Sequence, residues 1–409
     1  MAQKIVAGLF GFGVVGEGLY KLIRQSGYPN VELKTIVVQD KEKKRLLPPE
    51  RFNYNKDEIL NDSEIELVFE LISDAEEAFM IVKAALLSGK NVVTANKKMV
   101  ATHLAELIEL QQKTGKVLLY EAAVAGAIPV VQTVDRYLAW QNVKSIRGIF
   151  NGTSNYILTA LHNGLNYQEA LREAQLKGYA EADPTLDVGG YDAKFKSIIL
   201  ALHGFGKLYK PEEVFHAGIQ CIDSHEIVWA ESHNYTLKLV GNIYSTDNGV
   251  SISVLPEFVT TEDKLSKVNG VLNGVTVETS NSGSYFLEGE GAGSGPTGQA
   301  VLGDVAPVQT NSSYLYNKGV EESKPVNAVW NIYLKTDVEA LLEQITFDQI
   351  FEESKYEGQH RIIGRISVSE LEKLSESERK HVFIGKLPDN FLQSNKEYQA
   401  NAKKDPILT

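Results

Sequence analysis

Three glycines follow the first apolar run of the chain at a spacing that defines a particular kind of turn. The run from Ile5 to Phe10 has a strand pattern, Gly11, Gly13 and Gly16 come next, and the sequence after them is helical. In a strand–turn–helix unit of this type, the first glycine permits a tight turn and the second lets the backbone approach a pyrophosphate. The third lets the helix pack closely on the strand, and the helix N-terminus presents free N–H groups to phosphate. A flexible glycine loop explains the spacing less well, so we predict a dinucleotide-binding turn.

An alternation of strand and helix patterns continues from this turn to about residue 120. The predicted strands cover residues 33–38, 65–71, 91–94 and 117–120, and the predicted helices cover residues 76–87 and 103–113. Continuous Val, Ile and Leu runs between helical segments indicate a parallel sheet that is covered on both faces. Ligands of such sheets bind beyond the carboxyl ends of the strands, which is where Ser73 and Lys97 stand.

An acidic residue after the second predicted strand bears on the choice between NAD and NADP. Asp40 stands roughly 20 positions past the glycines, where a carboxylate typically binds the adenosine ribose 2′-hydroxyl. The basic run KEKKR follows it at once. This run could accept a 2′-phosphate, or it could be a solvated loop. The sequence leaves both cofactors open.

The composition excludes several classes of function. The chain has 409 residues and a formal net charge of −12, which argues against non-specific binding to nucleic acid or to an anionic membrane. Cys221 is its only cysteine, so neither an intrachain disulfide nor a cysteine metal cage can form. No run approaches the roughly 18 apolar residues that span a bilayer, and we see no basic leader of a signal peptide. We therefore expect a cytoplasmic protein of about two or three domains.

The stretch KGYAEADPTLDVGGYDAKFK carries an unusual density of charged side chains. From Tyr191 the pattern is helical, which places Asp192 and Lys196 four residues apart on one face. An ordinary surface ion pair would explain these two residues alone. Glu181 and Asp187 crowd the loop before the helix, however, and carboxylates so close repel each other unless cations compensate them. A lysine and a zwitterionic amino-acid substrate could supply those cations.

Five stretches beyond the first glycines resemble the homoserine dehydrogenase family, in the expected order and at plausible spacings. They are VVTANKK (Val92 to Lys98), YEAAVAGAIPVV (Tyr120 to Val131), NGTSNYIL (Asn151 to Leu158), the acidic stretch (Lys177 to Lys196) and GAGSGPTGQAVLGD (Gly291 to Asp304). The resemblance implies an enzyme of threonine and methionine biosynthesis that uses NAD or NADP to interconvert L-homoserine and L-aspartate 4-semialdehyde.

The resemblance also implies roles for individual residues of the acidic stretch. Lys196 is expected to donate and accept the proton, and Lys97 to lie near both nicotinamide and substrate. Glu181 is expected to bind the substrate ammonium, while Asp187 and Asp192 support its orientation and the proton transfer. Hydride transfer to an aldehyde leaves negative charge on its oxygen, which a lysine can stabilise and protonate. Lys196 is preferred over Lys97 as the lysine that moves the proton.

In the family, the loop that begins at Glu121 binds a monovalent cation, usually sodium. Matched residue by residue, the ligands are the Glu121 carboxylate and the backbone carbonyls of Val124, Gly126 and Ile128. Oxygen-only coordination suits a hard cation, and the role of such an ion is expected to be structural. A glycine–alanine hinge between domains would use the same small residues, and both interpretations can hold together.

Two further stretches contribute expected positions. In NGTSNYIL, Thr153 or Ser154 is expected to cap the helix that follows. The returning glycine segment is expected near the nicotinamide, although it has Gly298 and Gln299 where many relatives have alanine and serine. The predicted cofactor-binding residues are Gly11, Gly13, Val14, Val15, Gly16, Asp40, Ser73, Lys97 and Gly298.

The expected fold class is α/β, in three parts. A Rossmann NAD(P)-binding domain covers residues 1–130 with a returning segment at 296–325, and an α+β substrate-binding and dimerisation domain covers residues 131–295. Alternating sequences between residues 235 and 290 predict an antiparallel or mixed sheet. The family is typically dimeric through this domain, so we expect a homodimer. Residues 326–409 are expected to form a small α/β module. It is either a reduced packing or dimerisation module or a degenerate ACT-like domain, and the absence of the usual Asp-x-x-Gly signature favours the former.

Other functions are compatible with parts of this pattern. A dehydrogenase of the same fold could act on another small amino acid, and a nucleotide-binding sensor could keep the fold without catalysis. A sensor would have little need for both lysines and the carboxylates of the acidic stretch. Aspartate-semialdehyde dehydrogenase acts through a cysteine nucleophile, and Cys221 lies in no activating motif. The preferred prediction is a homoserine dehydrogenase with a small-molecule substrate and no nucleic-acid or membrane partner.

Overall fold

The computed structural model describes residues 4–25, 31–356 and 358–394. The tail 393–409, which the sequence predicts to be loosely ordered, lies outside these residues from position 395 onward. The chain divides into two compact units. The first consists of Met1–Asn142, Ile198–Pro211 and Gly289–Glu322, and the second of Val143–Ser197, Glu212–Glu288 and Ser323–Thr409.

Short strands alternate with helices in the first part of the chain, and longer strands dominate the rest. The strands of the described residues are β1 (Ile5–Phe10), β2 (Val31–Val37), β3 (Leu67–Glu70), β4 (Asn91–Thr94), β5 (Leu118–Leu119), β6 (Val143–Ile149), β7 (Lys207–Leu208), β8 (Phe215–His216), β9 (Tyr235–Thr246), β10 (Gly249–Thr260), β11 (Leu272–Thr279), β12 (Gly283–Glu290), β13 (Glu321–Glu322), β14 (Val329–Thr336), β15 (Gln349–Tyr356), β16 (Gln359–Ser367) and β17 (Val382–Lys386). Their helices are α1 (Val14–Gln25), α2 (Asp57–Leu60), α3 (Ala75–Leu87), α4 (Lys97–Thr114), α5 (Val130–Gln132), α6 (Gly152–His162), α7 (Tyr167–Leu176), α8 (Thr185–Val188), α9 (Tyr191–Phe205), α10 (Ser224–Ser232), α11 (Ser294–Gly303), α12 (Val305–Gln309), α13 (Glu339–Leu342), α14 (Val368–Leu371), α15 (Glu376–Arg379) and α16 (Phe391–Ser394). No helix among these residues is long and apolar enough to cross a membrane.

The first unit is built on a parallel sheet in the order β2-β1-β3-β4-β5. A parallel bridge between Val37 and Asn53 continues the sheet beyond β2. The strand order therefore reverses between β1 and β3, which is the point where a doubly wound sheet binds a dinucleotide. The predicted α/β class with a Rossmann-type domain is confirmed.

Helix α4 begins earlier than the sequence pattern indicates. It starts at Lys97, where the Asn96 side chain accepts a hydrogen bond from Met99 N and caps the first turns, and it kinks at His103 (φ −112°, ψ 20°), so the helix predicted from residue 103 corresponds to the part after the kink. The apolar periodicity of this helix becomes clear only after its first turns. As a consequence, Lys97 is the first residue of a helix that starts directly after a strand of the parallel sheet.

The second unit contains a ten-stranded sheet in the order β12-β11-β6-β9-β10-β17-β14-β16-β15, with β8 also paired to β10. The long strands β9 and β10 form an antiparallel hairpin, and β6 pairs antiparallel with both β9 and β11. The antiparallel or mixed sheet that the sequence predicts between residues 235 and 290 is confirmed. Gly241 of β9 allows α9 to approach closely, since a Cβ at this position would lie 2.4 Å from Ser197 Oγ.

The C-terminal strands continue the same sheet. Strand β17 joins β10 through a parallel pairing of Glu257 with Lys386, while β14, β16 and β15 follow in antiparallel pairs. One apolar core includes Leu255 from the middle of the chain together with Trp330 and Ile384. The boundary expected at residue 326 stays a prediction, although strands from both sides of it share one sheet and one core.

Candidate active site

The glycine turn after β1 has the geometry that its spacing predicts. Gly11 has φ of +90°, and a Cβ on it would lie 2.5 Å from a backbone oxygen that follows β3. A Cβ on Gly16 would lie 2.4 Å from Gly11 O, so α1 can pack this closely only with glycine there. No described atom lies within 4 Å of a Cβ built on Gly13, and Val14, at the start of α1, is 68% exposed. The turn therefore leaves open space above Gly13 and the first residues of α1.

The loop after β2 holds the residues that are expected to determine the preference for NAD or NADP. Asp40 is exposed, and its Oδ1 accepts hydrogen bonds from Glu42 N (2.8 Å) and Lys43 N (3.1 Å). Lys41 Nζ lies 4.9 Å from the centre of the Tyr54 ring. The loop thus holds both a carboxylate that can bind a ribose hydroxyl and cations that can bind a 2′-phosphate.

A buried polar network that the sequence analysis missed shapes the ends of β3 and β4. Glu70 Oε2 accepts a hydrogen bond from Thr94 Oγ1 (2.5 Å), and its Oε1 accepts one from Ile72 N (2.8 Å). Burial raises the pKa of Glu70 to about 7, against the opposing effect of these hydrogen bonds. Thr94 Oγ1 in turn accepts from Asn96 N, the residue before Lys97. In the sequence, the only signal of this buried network is a glutamate inside the apolar run LVFEL.

The returning segment packs on the first helix of the same unit. A Cβ on Gly298 would lie 2.9 Å from Leu19 N, and a Cβ on Gly18 would lie 2.0 Å from Ser294 O. These glycines are therefore required for close packing of α1 against α11. Ser73, by contrast, is exposed directly after β3. The cofactor contacts expected of Gly298 and Ser73 stay predictions.

In the second unit, Asp192 and Lys196 form a buried ion pair on the first turns of α9. Lys196 Nζ lies 2.7 Å from Asp192 Oδ2 and donates a second hydrogen bond to Phe150 O (2.6 Å). Asp192 is 2% exposed and Lys196 is 6% exposed. An exposed pair of this type contributes little, but a buried lysine beside a carboxylate is suited to exchange a proton with a ligand. This burial does not fit an ordinary surface ion pair.

Asn151 brings Asp187 together with this pair. Its Nδ2 donates hydrogen bonds to Asp187 Oδ1 (2.7 Å) and to Asp192 Oδ2 (2.9 Å). Asn151 is also the residue that caps α6, because its Oδ1 accepts from Ser154 N (2.8 Å). The expectation that Thr153 or Ser154 caps this helix is therefore wrong. Asparagine is among the best capping residues, and it stands first in NGTSNYIL, which could have indicated it.

The loop that carries Glu181 is held at two backbone oxygens. Thr153 Oγ1 donates to Tyr179 O (2.6 Å), and Gln175 Nε2 donates to Glu181 O (3.1 Å). Glu181 itself is exposed, and Asp187 follows it in the same loop at intermediate burial. The second unit therefore holds the predicted substrate-binding and proton-transfer residues, and the first unit holds Lys97 and the glycine turn.

The loop at Glu121 contains two buried acidic side chains. Glu121 Oε1 and Oε2 accept hydrogen bonds from Val131 N (2.9 Å) and Gln132 N (2.8 Å), at the start of α5. Asp304 Oδ2 accepts from Glu121 N (3.0 Å). Burial and the charge of Asp304 raise the pKa of Glu121 to about 8, and burial raises the pKa of Asp304 to about 7. Two carboxyl groups in this setting favour a nearby positive charge.

The backbone around these carboxyl groups turns tightly and is buried. Ala125 and Gly126 have φ of +55° and +56°, and a Cβ on Gly126 would lie 2.5 Å from the carbonyl carbon of Gly291. Within the described parts of the chain, no group of three or more His, Cys, Asp or Glu side chains could hold a metal. A cation here would therefore need backbone oxygens, such as the predicted carbonyls of Val124, Gly126 and Ile128, in addition to Glu121.

A dinucleotide-binding turn in a doubly wound sheet, together with a buried lysine–carboxylate pair, defines an NAD(P)-dependent oxidoreductase. Residues 11–121 match the family model described as homoserine dehydrogenase, NAD binding domain, and residues 129–306 match the model described as homoserine dehydrogenase. The chain belongs to the homoserine dehydrogenase family, whose members are oxidoreductases that act on CH–OH groups.

Individual relatives agree with this family. The homoserine dehydrogenase of Lactococcus lactis is 35% identical over 312 residues, which is 73% of either chain. A homoserine dehydrogenase structure from Thiobacillus denitrificans has a TM-score of 0.81 and 28% identity, and the match covers 95% of this chain and 100% of that one. A hyperthermophilic archaeal homoserine dehydrogenase in complex with NADPH has a TM-score of 0.65 and 25% identity, with 76% of this chain and 100% of that one covered.

Proposed function

We propose that this chain catalyses the NAD(P)-dependent interconversion of L-homoserine and L-aspartate 4-semialdehyde, on the route to threonine and methionine. The observation that carries the proposal is the buried pair of Asp192 and Lys196, to which Asn151 adds a second carboxylate, that of Asp187. This group of side chains combines an acid–base residue with anionic groups for an amino-acid substrate.

The chemistry requires one proton and one hydride. When bound, the nicotinamide ring supplies or accepts the hydride. In the reducing direction, the aldehyde carbon gains the hydride, and Lys196 Nζ gives a proton to the aldehyde oxygen and becomes neutral. In the oxidising direction, Lys196 takes the hydroxyl proton while the hydride leaves the same carbon. Asp192, 2.7 Å from Nζ, stabilises the charged lysine in either direction.

The proposed substrate contacts follow the resemblance to the family. Glu181 binds the substrate ammonium, and Asp187 and Asp192 orient the substrate. Lys97, in the first unit, is proposed to act near both nicotinamide and substrate. The anionic loop favours an amino acid over a simple hydroxy acid, because the ammonium group of an amino acid then finds anionic partners.

The proposed cofactor is NAD or NADP, bound at the glycine turn. Gly11, Gly13 and Gly16 shape the turn, and the N–H groups of Val14 and Val15 at the start of α1 serve the phosphates. The remaining proposed contacts are Asp40, Ser73, Lys97 and Gly298. The archaeal relative in complex with NADPH supports the NADP alternative for this group of proteins.

A sodium ion is the proposed structural cation. The residues present fit such an ion, because Glu121 and Asp304 are both buried, and burial and the charge of Asp304 raise the pKa of Glu121. The carbonyls of Val124, Gly126 and Ile128 would complete an oxygen site. The ion would neutralise the acidic pair and would take no part in hydride transfer.

We also propose a cytoplasmic homodimer. The ten-stranded sheet ends in β12 and β15, whose outer edges have backbone groups that another chain can pair or cover. Light scattering after size exclusion tests the proposal, and a monomer at micromolar concentration would contradict it.

The function is tested by a spectrophotometric assay at 340 nm with L-homoserine and either NAD or NADP, for the parent protein and for Lys196→Ala. Turnover by the parent and its loss in the folded variant are expected, together with a clear preference for one cofactor. Lys194→Met is the matched control, because Lys194 is equally buried on the same helix turn but bonds His216. No turnover by the parent with either cofactor, despite cofactor binding, would overturn the proposal in favour of a nucleotide-binding sensor.

A further inference from the structure

Asn151 occupies the junction between β6 and α6 and is 6% exposed. Its side-chain oxygen faces Ser154 N at 2.8 Å. Because a backbone N–H can only donate, this contact fixes the orientation of the amide and places its nitrogen on the opposite side. The amide nitrogen then faces the carboxylates of Asp187 and Asp192, at 2.7 Å and 2.9 Å.

Each hydrogen of this amide therefore has its own carboxylate. A primary amide carries two N–H donors, and here one is used on Asp187 and the other on Asp192. Two carboxylates held near one another repel, and a neutral double donor stabilises both without adding a charge. The spacing between the two acidic groups is thus set by the width of one amide group.

The same amide shares its acceptor with Lys196. Asp192 Oδ2 accepts from both Asn151 Nδ2 and Lys196 Nζ, at 2.9 Å and 2.7 Å. Lys196 Nζ also donates to the carbonyl of Phe150, the residue before Asn151. The dipeptide Phe150–Asn151 therefore contacts both members of the ion pair, and the cap of α6 fixes its position.

We propose that Asn151 is a positioning residue for catalysis, which holds Asp187 and Asp192 at the separation that the substrate requires and keeps Asp192 aligned with Lys196. The proposal rests on the proposed function, since it assigns these carboxylates to the substrate. Helix capping alone does not explain an asparagine at this position, because aspartate and serine cap helices equally well. Only asparagine combines the capping oxygen with two donors in this geometry.

The test uses Asn151→Asp in the full-length protein. Aspartate keeps the size and the capping oxygen of asparagine, so α6 should remain, but it removes both donors and turns a third carboxylate toward the other two. We expect kcat/KM for L-homoserine to fall by about 100-fold. The added negative charge holds the proton on Lys196 to higher pH, so the pH profile of homoserine oxidation should shift upward by about one unit or more.

Asn166→Asp is the matched control, because Asn166 caps α7 in the same way through its bond to Glu169 N (2.9 Å) and is exposed. It should leave both kcat/KM and the pH profile unchanged. Asn151→Ser provides a second, uncharged variant that keeps a cap and replaces both amide donors with one shorter hydroxyl, with a loss of kcat/KM and a smaller pH shift expected. Folded Asn151 variants with the parent's kcat/KM and pH profile would overturn the inference. Because the parent and Lys196→Ala are assayed alongside, failure of the proposed function would show separately as an inactive parent.

Discussion

Three buried carboxyl groups of the first unit have raised pKa values, and burial is the main cause in each. They are Glu70 at about 7, Glu121 at about 8 and Asp304 at about 7. A carboxyl group whose pKa is higher in the folded than in the unfolded protein stabilises the fold at low pH and loses that contribution as pH rises through the folded value. For Glu121 this loss extends from about pH 4.5 to about pH 8.

This linkage leads to a prediction for sodium. An ion that binds ionised Glu121 and Asp304 offsets their loss of stability, so the Tm in NaCl should exceed the Tm in N-methylglucamine chloride of equal ionic strength. The difference should be small at pH 6 and large at pH 9. Glu121→Gln should abolish it, whereas Glu70→Gln, which removes a buried carboxyl outside the loop, should not. Equal Tm values in the two salts at pH 9 would contradict a sodium site.

The glycines of the turn lead to a second prediction about single residues. Gly13→Ala should leave the fold intact, because a Cβ there meets no described atom within 4 Å, but the methyl group would occupy the space of a pyrophosphate. We expect cofactor affinity to fall by about 10-fold or more, measured by fluorescence titration with NADPH. Gly16→Ala should instead lower the Tm, because its Cβ would overlap Gly11 O. Parent-like cofactor affinity in Gly13→Ala would rule out this role.

Several elements of the first unit are connected by one chain of buried hydrogen bonds. Gln111 Nε2 donates to Tyr316 OH (2.9 Å), which lies 3.2 Å from Tyr120 OH. Tyr120 OH lies 3.0 Å from His203 Nε2, and His203 Nδ1 lies 3.0 Å from Asp135 Oδ1. The chain ends on the carboxylate of Asp135, which can only accept hydrogen bonds. It joins α4, the end of β5, the end of α9 and the returning segment.

Asp135 is the acceptor on which this chain depends. It also accepts from Leu315 N and Tyr316 N. Burial alone would raise the pKa of Asp135, but the hydrogen bond and charge of His203 bring it below its usual value, so its contribution to stability is lost as pH falls through that low value. Asp135→Ala should cost about 3–5 kcal/mol in urea unfolding and speed hydrogen exchange at the Leu315 and Tyr316 amides. The control Asp389→Ala removes a 90% exposed carboxylate and should change neither; parent-like exchange in Asp135→Ala would contradict the prediction.

At the scale of single elements, the sequence predicts features whose residues lie close together along the chain. The glycine turn and the Asp192–Lys196 spacing are defined by residues within one element, so periodicity and motif are sufficient to find them. Asn151 contacts residues 36 and 41 positions away, and Thr94 reaches Glu70 across 24 positions. Such contacts depend on which strands and helices become neighbours, and no local pattern contains that information.

At the scale of the whole molecule, the C-terminal segment from residue 326 shares its apolar core with residues from the middle of the chain. Trp330 is 2% exposed and packs in one cluster with Phe215 and Leu255 from the middle of the chain. The alternation of apolar residues predicted the C-terminal strands but not which sheet they join. Which strands pair across long sequence distances depends on the complete fold. The residues of the C-terminal segment alone therefore do not determine which sheet its strands join.

This shared core predicts a single cooperative loss of structure and activity in the second unit. Trp330→Ala should cost about 3–5 kcal/mol, because it leaves a large cavity in the core. Inactivation and loss of circular dichroism should shift together to lower urea concentration. Trp140→Ala, which removes an 88% exposed side chain, should leave both transitions unchanged. An active Trp330→Ala protein that loses part of its dichroism in a separate earlier transition would show that the C-terminal strands fold independently.

The parallel pairing at Glu257 and Lys386 sets a condition for any redesign of this protein. Strands β14 to β17 cannot be replaced by a different domain simply by fusing that domain to the preceding loop. A replacement would have to present a strand that runs parallel to β10 and a matching apolar layer, or β10 would be left as an open template for neighbouring chains. A chimera built without such a strand should precipitate during expression even if both of its parts are stable alone.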